Sequence, residues 1–139
     1  LFGSGRNVKA TAYVGNLVDA LTMQLDNLSP GLRIFNYADK PDLTVAEIVS
    51  TIRSSLGKSK NYLKLPVWLG VVAAMPFEAF TSVTGKNLPV SKARVKKLAT
   101  PTQVRADRIR DAGFTQQVSS QEGLQRMVKH FLSQQRPKN

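Results

Sequence analysis

The chain has 139 residues, with 20 lysines and arginines against 9 acids, no cysteine and a single histidine. That is one domain's worth of sequence with a modest core. The lack of cysteine excludes disulfides and thiolate metal sites and is compatible with a reducing compartment, and a zinc site around His130 alone would need carboxylates that are scarce here.

Taken from the start, Leu1-Phe2 begins mid-pattern, without a methionine or a secretory signal, as an internal stretch of a longer chain would. Gly3-Ser4-Gly5 reads as a turn into a strand over Asn7–Val14. Val8, Ala10, Ala12 and Val14 share one parity and are predicted to face the core, which puts Lys9 on the opposite face. Gly15-Asn16 breaks the strand, and Asn16 suits the N-cap of a helix from about Leu17 to Asn27, with Leu17, Leu21 and Leu25 on one stripe beside Ala20. Ser29-Pro30-Gly31 ends that helix. Arg33–Tyr37 follows as a strand, with Ile34 and Phe35 supplying the propensity, and Asp39-Lys40-Pro41-Asp42 turns the chain.

The strongest local signature comes next. Thr44 and Glu47 have capping-box spacing, and Leu43 with Ile48 makes the matching staple. Val45, Ile48, Val49, Ile52 and Leu56 form one stripe, and Gly57 supplies the stop. After a polar connection, a short strand is expected near Tyr62–Leu65. Pro66 suits the first turn of a helix running to about Gly85, which Pro76 would kink or divide. Trp68, Val71, Val72, Met75, Phe77 and Phe80 are read as core, although so many apolar residues leave room for an exposed patch. Leu65–Phe80, interrupted by Pro66, Pro76 and Glu78, is too short to cross a bilayer.

Ser91 caps a basic helix over Lys92–Leu98 that Pro101 ends, and a further helix over about Arg105–Ala112 stops at Gly113. Ser119 and Glu122 repeat the capping-box spacing ahead of a last helix whose buried stripe is Leu124, Met127, Val128 and Phe131. His130 lies off that stripe and is read as an exposed helix residue. The final residues, 134–139, are expected to be a disordered tail.

The charge is concentrated. Lys86, Lys92, Arg94, Lys96, Lys97, Arg105, Arg108 and Arg110 face one acid, Asp107, so this segment supplies +7 of the net +11. It suits an anionic partner, whether phosphate ligand, nucleic acid or lipid head groups, or is simply a solvated face. No aromatic residue interleaves the cations of Lys92–Arg110 to stack bases, and no nucleic-acid reader motif is present. Leu65–Phe80 flanked by lysines also fits peripheral contact with a membrane surface.

The stretch Gly3–Leu21 resembles a segment of the extended short-chain dehydrogenase/reductase family, where a strand of the pattern R/K-x-x-x-h/Y-V-x-D/N-L-x-x-A enters the substrate domain. Here the pattern reads Lys9, Tyr13, Val14, Asn16, Leu17 and Ala20. The resemblance is greatest to bacterial NAD-dependent nucleotide-sugar epimerases and dehydratases, UDP-glucose 4-epimerase among them. It continues through FNYAD, LTVAEIVSTI and DAGF…QEGLQRMV, so it covers nearly the whole chain. It implies an α/β fold: residues 1–133 would be the C-terminal substrate-binding portion, mostly helical with a few short strands, with the Rossmann cofactor half missing.

Two signatures of a complete enzyme of this kind are not in the chain. None of the nine glycines gives the G-x-x-G-x-x-G turn that brings a dinucleotide to a helix start. Tyr13, Tyr37 and Tyr62 are followed four places on by Leu17, Pro41 and Pro66, so the Tyr-x-x-x-Lys base is absent as well. The resemblance therefore implies cofactor and catalytic halves upstream of Leu1, NAD in the parent enzyme, and a fragment that alone binds no NAD and is inactive. It implies a nucleotide-sugar substrate, no nucleic acid, a cytoplasmic parent serving polysaccharide biosynthesis, and a homodimer. It offers two substrate-binding residues. Lys9 stands where a basic residue meets the substrate diphosphate, or is an ordinary solvent-facing strand lysine. Arg94 is the second, with Lys96 or Lys97 alternatives in a loose register.

Overall fold

In the computed structural model, residues 1, 3–59, 61–84 and 92–135 are described, the backbone alone over 77–84. The chain divides into two compact units, Leu1–Asn7 with Asn61–Pro101, and Val8–Lys60 with Thr102–Asn139.

The larger unit begins with β1 (Val8–Lys9) and α1 (Val14–Asp26), followed by β2 (Leu43–Thr44) and α2 (Val45–Ser55). β1 and β2 pair antiparallel, Val8 opposite Thr44 and Lys9 opposite Leu43. On the other side of β1 the Ala10 N–H donates to the Thr102 carbonyl at 2.7 Å and the Thr102 N–H to the Val8 carbonyl at 3.0 Å. The predicted strand over Asn7–Val14 is therefore two residues long. Its parity is lost because the segment after Lys9 leaves the ladder: the Thr11 carbonyl accepts the Asp39 N–H at 2.8 Å, and Val14 already starts a helix. Ala10 packs on the core, while Ala12 and Val14 are exposed.

Ala20 is buried on α1, but Leu21 and Leu25 are 57% and 68% exposed, so the predicted leucine stripe faces outward. Arg33–Tyr37 is not a strand: among the described residues no neighbouring strand offers it a ladder, and propensity without a partner makes no sheet. α2 follows its sequence signature. The Thr44 hydroxyl accepts the Glu47 N–H at 3.2 Å, the Glu47 carboxylate accepts the Thr44 N–H at 2.7 Å, and Gly57 ends the turn at φ +67°.

The unit closes with α5 (Asp107–Asp111) and α6 (Ser120–Gln135). α5 is shorter than predicted, and Gly113 ends it at φ +96°. α6 packs on α2 and buries Gly123 and Val128. Met127 and Phe131, predicted to be core, are more than half exposed. The Ser119 hydroxyl accepts the Glu122 N–H, but the Glu122 carboxylate turns to Arg126 instead of closing a box. Gln134 and Gln135 belong to α6 and not to a tail; residues 136–139 lie outside the description. The core of this unit is small: Ala20, Ala38, Ala106, Ile109 and Phe114, ringed by Ala10, Met23, Phe35, Tyr37 and Val104.

The smaller unit is a pair of packed helices, α3 (Val67–Thr84) and α4 (Lys92–Ala99). The short strand expected near Tyr62–Leu65 reduces to Leu65, whose N–H donates to the Leu1 carbonyl and whose carbonyl accepts the Gly3 N–H, each at 2.8 Å. α3 is one helix through Pro76. Proline removes a single N–H there, and the carbonyl it leaves, that of Val72, sits on a residue half exposed to water. Gly70 and Ala74 are buried on α3 and Val95 on α4. Trp68, Val72 and Met75 are 63%, 52% and 51% exposed, so they form the exposed patch and not core. The side chains of Phe77 and Phe80, and the Ser91 cap, lie outside the described residues.

The capping box generates a prediction. Thr44→Ala should destabilise the protein by about 1 kcal/mol in urea, since first-turn N–H groups lose their partner. The Glu47 carboxyl is held below its ordinary 4.5, because the Thr44 hydroxyl and then the Thr44 N–H donate to its charged form. A depressed carboxyl stabilises the fold above its unfolded value, and the gain disappears as pH falls through the lower folded value. Stability measured between pH 6 and about 3 should therefore fall less steeply in Glu47→Gln than in the parent.

Candidate functional site

Asp39 organises the larger unit. It is 1% exposed, and its two carboxylate oxygens accept three hydrogen bonds: the Tyr13 N–H at 2.6 Å, the Asn16 side-chain N–H at 2.9 Å and the Tyr37 O–H at 2.6 Å. Asn16 is fully buried. Besides Asp39, its amide donates to the Val118 carbonyl at 2.7 Å and accepts the Val118 N–H at 3.0 Å. Asn16 is therefore not the N-cap predicted from sequence. Tyr13 occupies that position, with no side-chain cap of its own, and Asp39 takes its N–H from across the unit. Burial, and then the hydrogen bond to Asp39, push the Tyr37 phenol far above its ordinary value, so it remains a donor.

Tyr13 fits because two glycines make way for it. A Cβ at Gly15 would lie 2.6 Å from the Tyr13 ring, and one at Gly123 would lie 2.7 Å from the Tyr13 Cβ. The Arg126 guanidinium sits over the same ring, 5.8 Å from its centroid. Beside this cluster a largely apolar groove of about 790 Å³ runs between Ala12, Val14, Leu43, Leu124 and Met127, with Thr11, Asp39, Ser120, Arg126 and His130 among its polar lining. The Thr11 hydroxyl oxygen is buried without a hydrogen-bond partner among the described residues. His130 is exposed, as read from sequence, and pairs with Gln134 at 2.9 Å.

The two predicted substrate residues fall in different units. Lys9 is half-buried on β1, and its Nζ reaches the Thr102 hydroxyl at 3.4 Å. Arg94 is exposed on α4, as are Lys96 and Lys97. The basic run is also divided. Lys92, Arg94, Lys96 and Lys97 belong to the smaller unit; Arg105, Arg108 and Arg110 belong to the larger, where two of them do structural tasks. Arg110 donates to the carbonyls of Ala38 and Ala106, each at 2.9 Å, and Arg108 lies over the Phe35 ring.

Gly3 and Gly5 have φ of +89° and +75°, but they lead into a strand and no helix N-terminus follows them. Among the described residues, no three His, Asp or Glu side chains gather to hold a metal. None of the described helices is long and apolar enough to cross a membrane.

No protein-family profile matches the chain. Among curated proteins, it is 35% identical over 130 residues to the N-acetyl-alpha-D-glucosaminyl-diphospho-ditrans,octacis-undecaprenol 4-epimerase of Escherichia coli O157:H7, a match covering 94% of this chain and 39% of that one. The chain matches the C-terminal part of an extended short-chain dehydrogenase/reductase. Among solved structures it is similar to the dTDP-glucose 4,6-dehydratase of Bacillus anthracis, crystallised with NAD, at TM-score 0.55 and 17% identity, over 96% of this chain and 34% of that one. The fold is thus that of a piece of such an enzyme, mostly helical with two short strands. The chain spans little more than a third of either protein's length.

The Asp39 network was missed from sequence, where residues 39–42 read only as a turn. The available signal was two glycines, Gly15 and Gly123, placed inside helices. Replacing Asn16 with Ala leaves Asp39 and the Val118 N–H short of a partner, while the Val118 carbonyl keeps the Gln116 side-chain N–H at 2.9 Å, and should cost on the order of 2–4 kcal/mol in chemical denaturation. A loss within error of zero would show that water replaces the amide.

Proposed function

We propose that the chain is the substrate-binding portion of an NAD-dependent nucleotide-sugar epimerase or dehydratase, acting on a sugar held through a diphosphate. The observation that carries this reading is the 35% identity to the epimerase, extending over nearly the whole chain. That enzyme's name puts its sugar on a diphosphate borne by a polyprenol, so the sugar diphosphate is the part it shares with a nucleotide sugar. Lys9 is our candidate for the diphosphate contact; lysine offers a point charge where arginine would offer a fork. Arg94 is the second candidate. Hydride transfer would belong to the remainder of the enzyme, because this chain supplies neither a dinucleotide turn nor a Tyr-x-x-x-Lys base. The reading implies a cytoplasmic enzyme.

The outward face of α1 supports it. Val14, Val18, Leu21 and Leu25 recur at alternating four- and three-residue spacing and are all at least half exposed. Such a stripe is ordinarily buried against another element, and we assign it to the cofactor half.

The test uses the complete enzyme with N-acetylglucosaminyl-diphospho-undecaprenol and a nucleotide sugar as alternative substrates. Lys9→Ala should lower kcat/KM roughly ten- to a hundred-fold, through KM, with NAD affinity unchanged. Lys9→Arg should keep most of the activity. Wild-type kcat/KM in the alanine variant would make Lys9 a strand residue and nothing more; turnover of neither substrate would sink the functional reading itself.

A further inference from the structure

The groove beside Tyr13 is walled by hydrocarbon, and its polar groups are committed to one another. Asp39 gives its two oxygens to Tyr13, Asn16 and Tyr37. The Ser120 hydroxyl donates to the Pro41 carbonyl at 2.9 Å, Arg126 donates to the Glu122 carboxylate at 2.7 Å, and His130 pairs with Gln134 at 2.9 Å. The Thr11 hydroxyl oxygen is buried beneath the surface. What the groove offers a ligand is therefore Ala12, Val14, Leu43, Leu124 and Met127, the last two one turn apart on α6.

A volume of about 790 Å³ lies within the range of small-molecule sites. In the reading given above, a sugar diphosphate can be borne by a nucleoside or by a polyprenol. A nucleoside brings a base edge and ribose hydroxyls, and this groove would bury them without partners. An isoprenoid chain has no polar atom to satisfy, and each carbon it buries is favourable. The position fits as well. Thr11 lies two residues after Lys9, so their Cα atoms are at most about 7 Å apart, and a diphosphate at Lys9 has the groove beside it. Val14 also heads the exposed stripe of α1, so the groove opens at the margin of the face assigned to the cofactor half, a common place for ligand sites.

We propose that this groove receives the first isoprene units of a polyprenyl carrier whose sugar diphosphate meets Lys9. The inference rests on the reading of a sugar held through its diphosphate, and it names the carrier.

The test uses the complete enzyme with N-acetylglucosamine diphosphate esterified to a butyl or a geranyl chain, both soluble without detergent, and with a nucleotide sugar. The geranyl substrate should exceed the butyl one in kcat/KM roughly tenfold or more, through KM. Met127→Ser, with an unchanged circular dichroism spectrum, should shrink that ratio, and Met127→Leu should restore it. A geranyl chain carrying a diazirine should crosslink to Leu124 or Met127. Equal kcat/KM for the two chain lengths overturns the proposal, and so does a ratio that Met127→Ser leaves unchanged. Crosslinks confined to the cofactor half also overturn it, and mean that side chains from that half fill the groove. Turnover of the nucleotide sugar alone overturns the carrier assignment and keeps the sugar-diphosphate reading. Turnover of none of the three removes that reading, and the groove assignment with it.

Discussion

A carboxylate taken out of water costs several kcal/mol unless hydrogen-bond donors take the place of the water. Asp39 meets that condition with groups from three places in the chain: the backbone at the start of α1, an amide one turn into α1, and a phenol two residues before it. Through Asn16 the same network holds the segment that leads into α6. The hydrophobic core beside it consists of three alanines, one isoleucine and one phenylalanine. So small an apolar core leaves the polar network to fix where α1 begins and where α6 enters. The groove beside Tyr13 takes its shape from those two decisions.

The same network explains what was legible in the sequence. Features closed within a few residues were read correctly: the Thr44–Glu47 box, the glycine ends at Gly57 and Gly113, the helical identity of residues 120–133, and the exposure of His130. Asn16 was assigned as a cap because capping is what a local reading offers an asparagine after glycine. Its actual partners lie 23 and 102 residues away. The parity argument for Val8–Val14 failed for a related reason. Alternation implies one buried face only while the ladder persists, and here the Asp39 N–H draws the chain out of the ladder at Thr11.

Arg33–Tyr37 shows a different limit. Ile34 and Phe35 have strand propensity, but a strand is a relation between segments, and the described residues contain no partner for this one. The placement of charge was also only half legible. Composition located the cations, yet could not show that Arg110 is consumed by two backbone carbonyls and Arg108 by an aromatic face.

The two exposed apolar faces then differ in kind. The stripe on α1 is long, runs at the spacing of a helix-packing seam, and has Asp19 and Asp26 as the only charged residues on its helix. An anionic membrane would repel those acids, whereas a protein surface needs only to match the ridge of leucines and valines. The stripe on α3 is shorter, includes a tryptophan and lies in the other unit. Length and spacing, and not apolar exposure alone, mark the α1 face as a helix-packing seam.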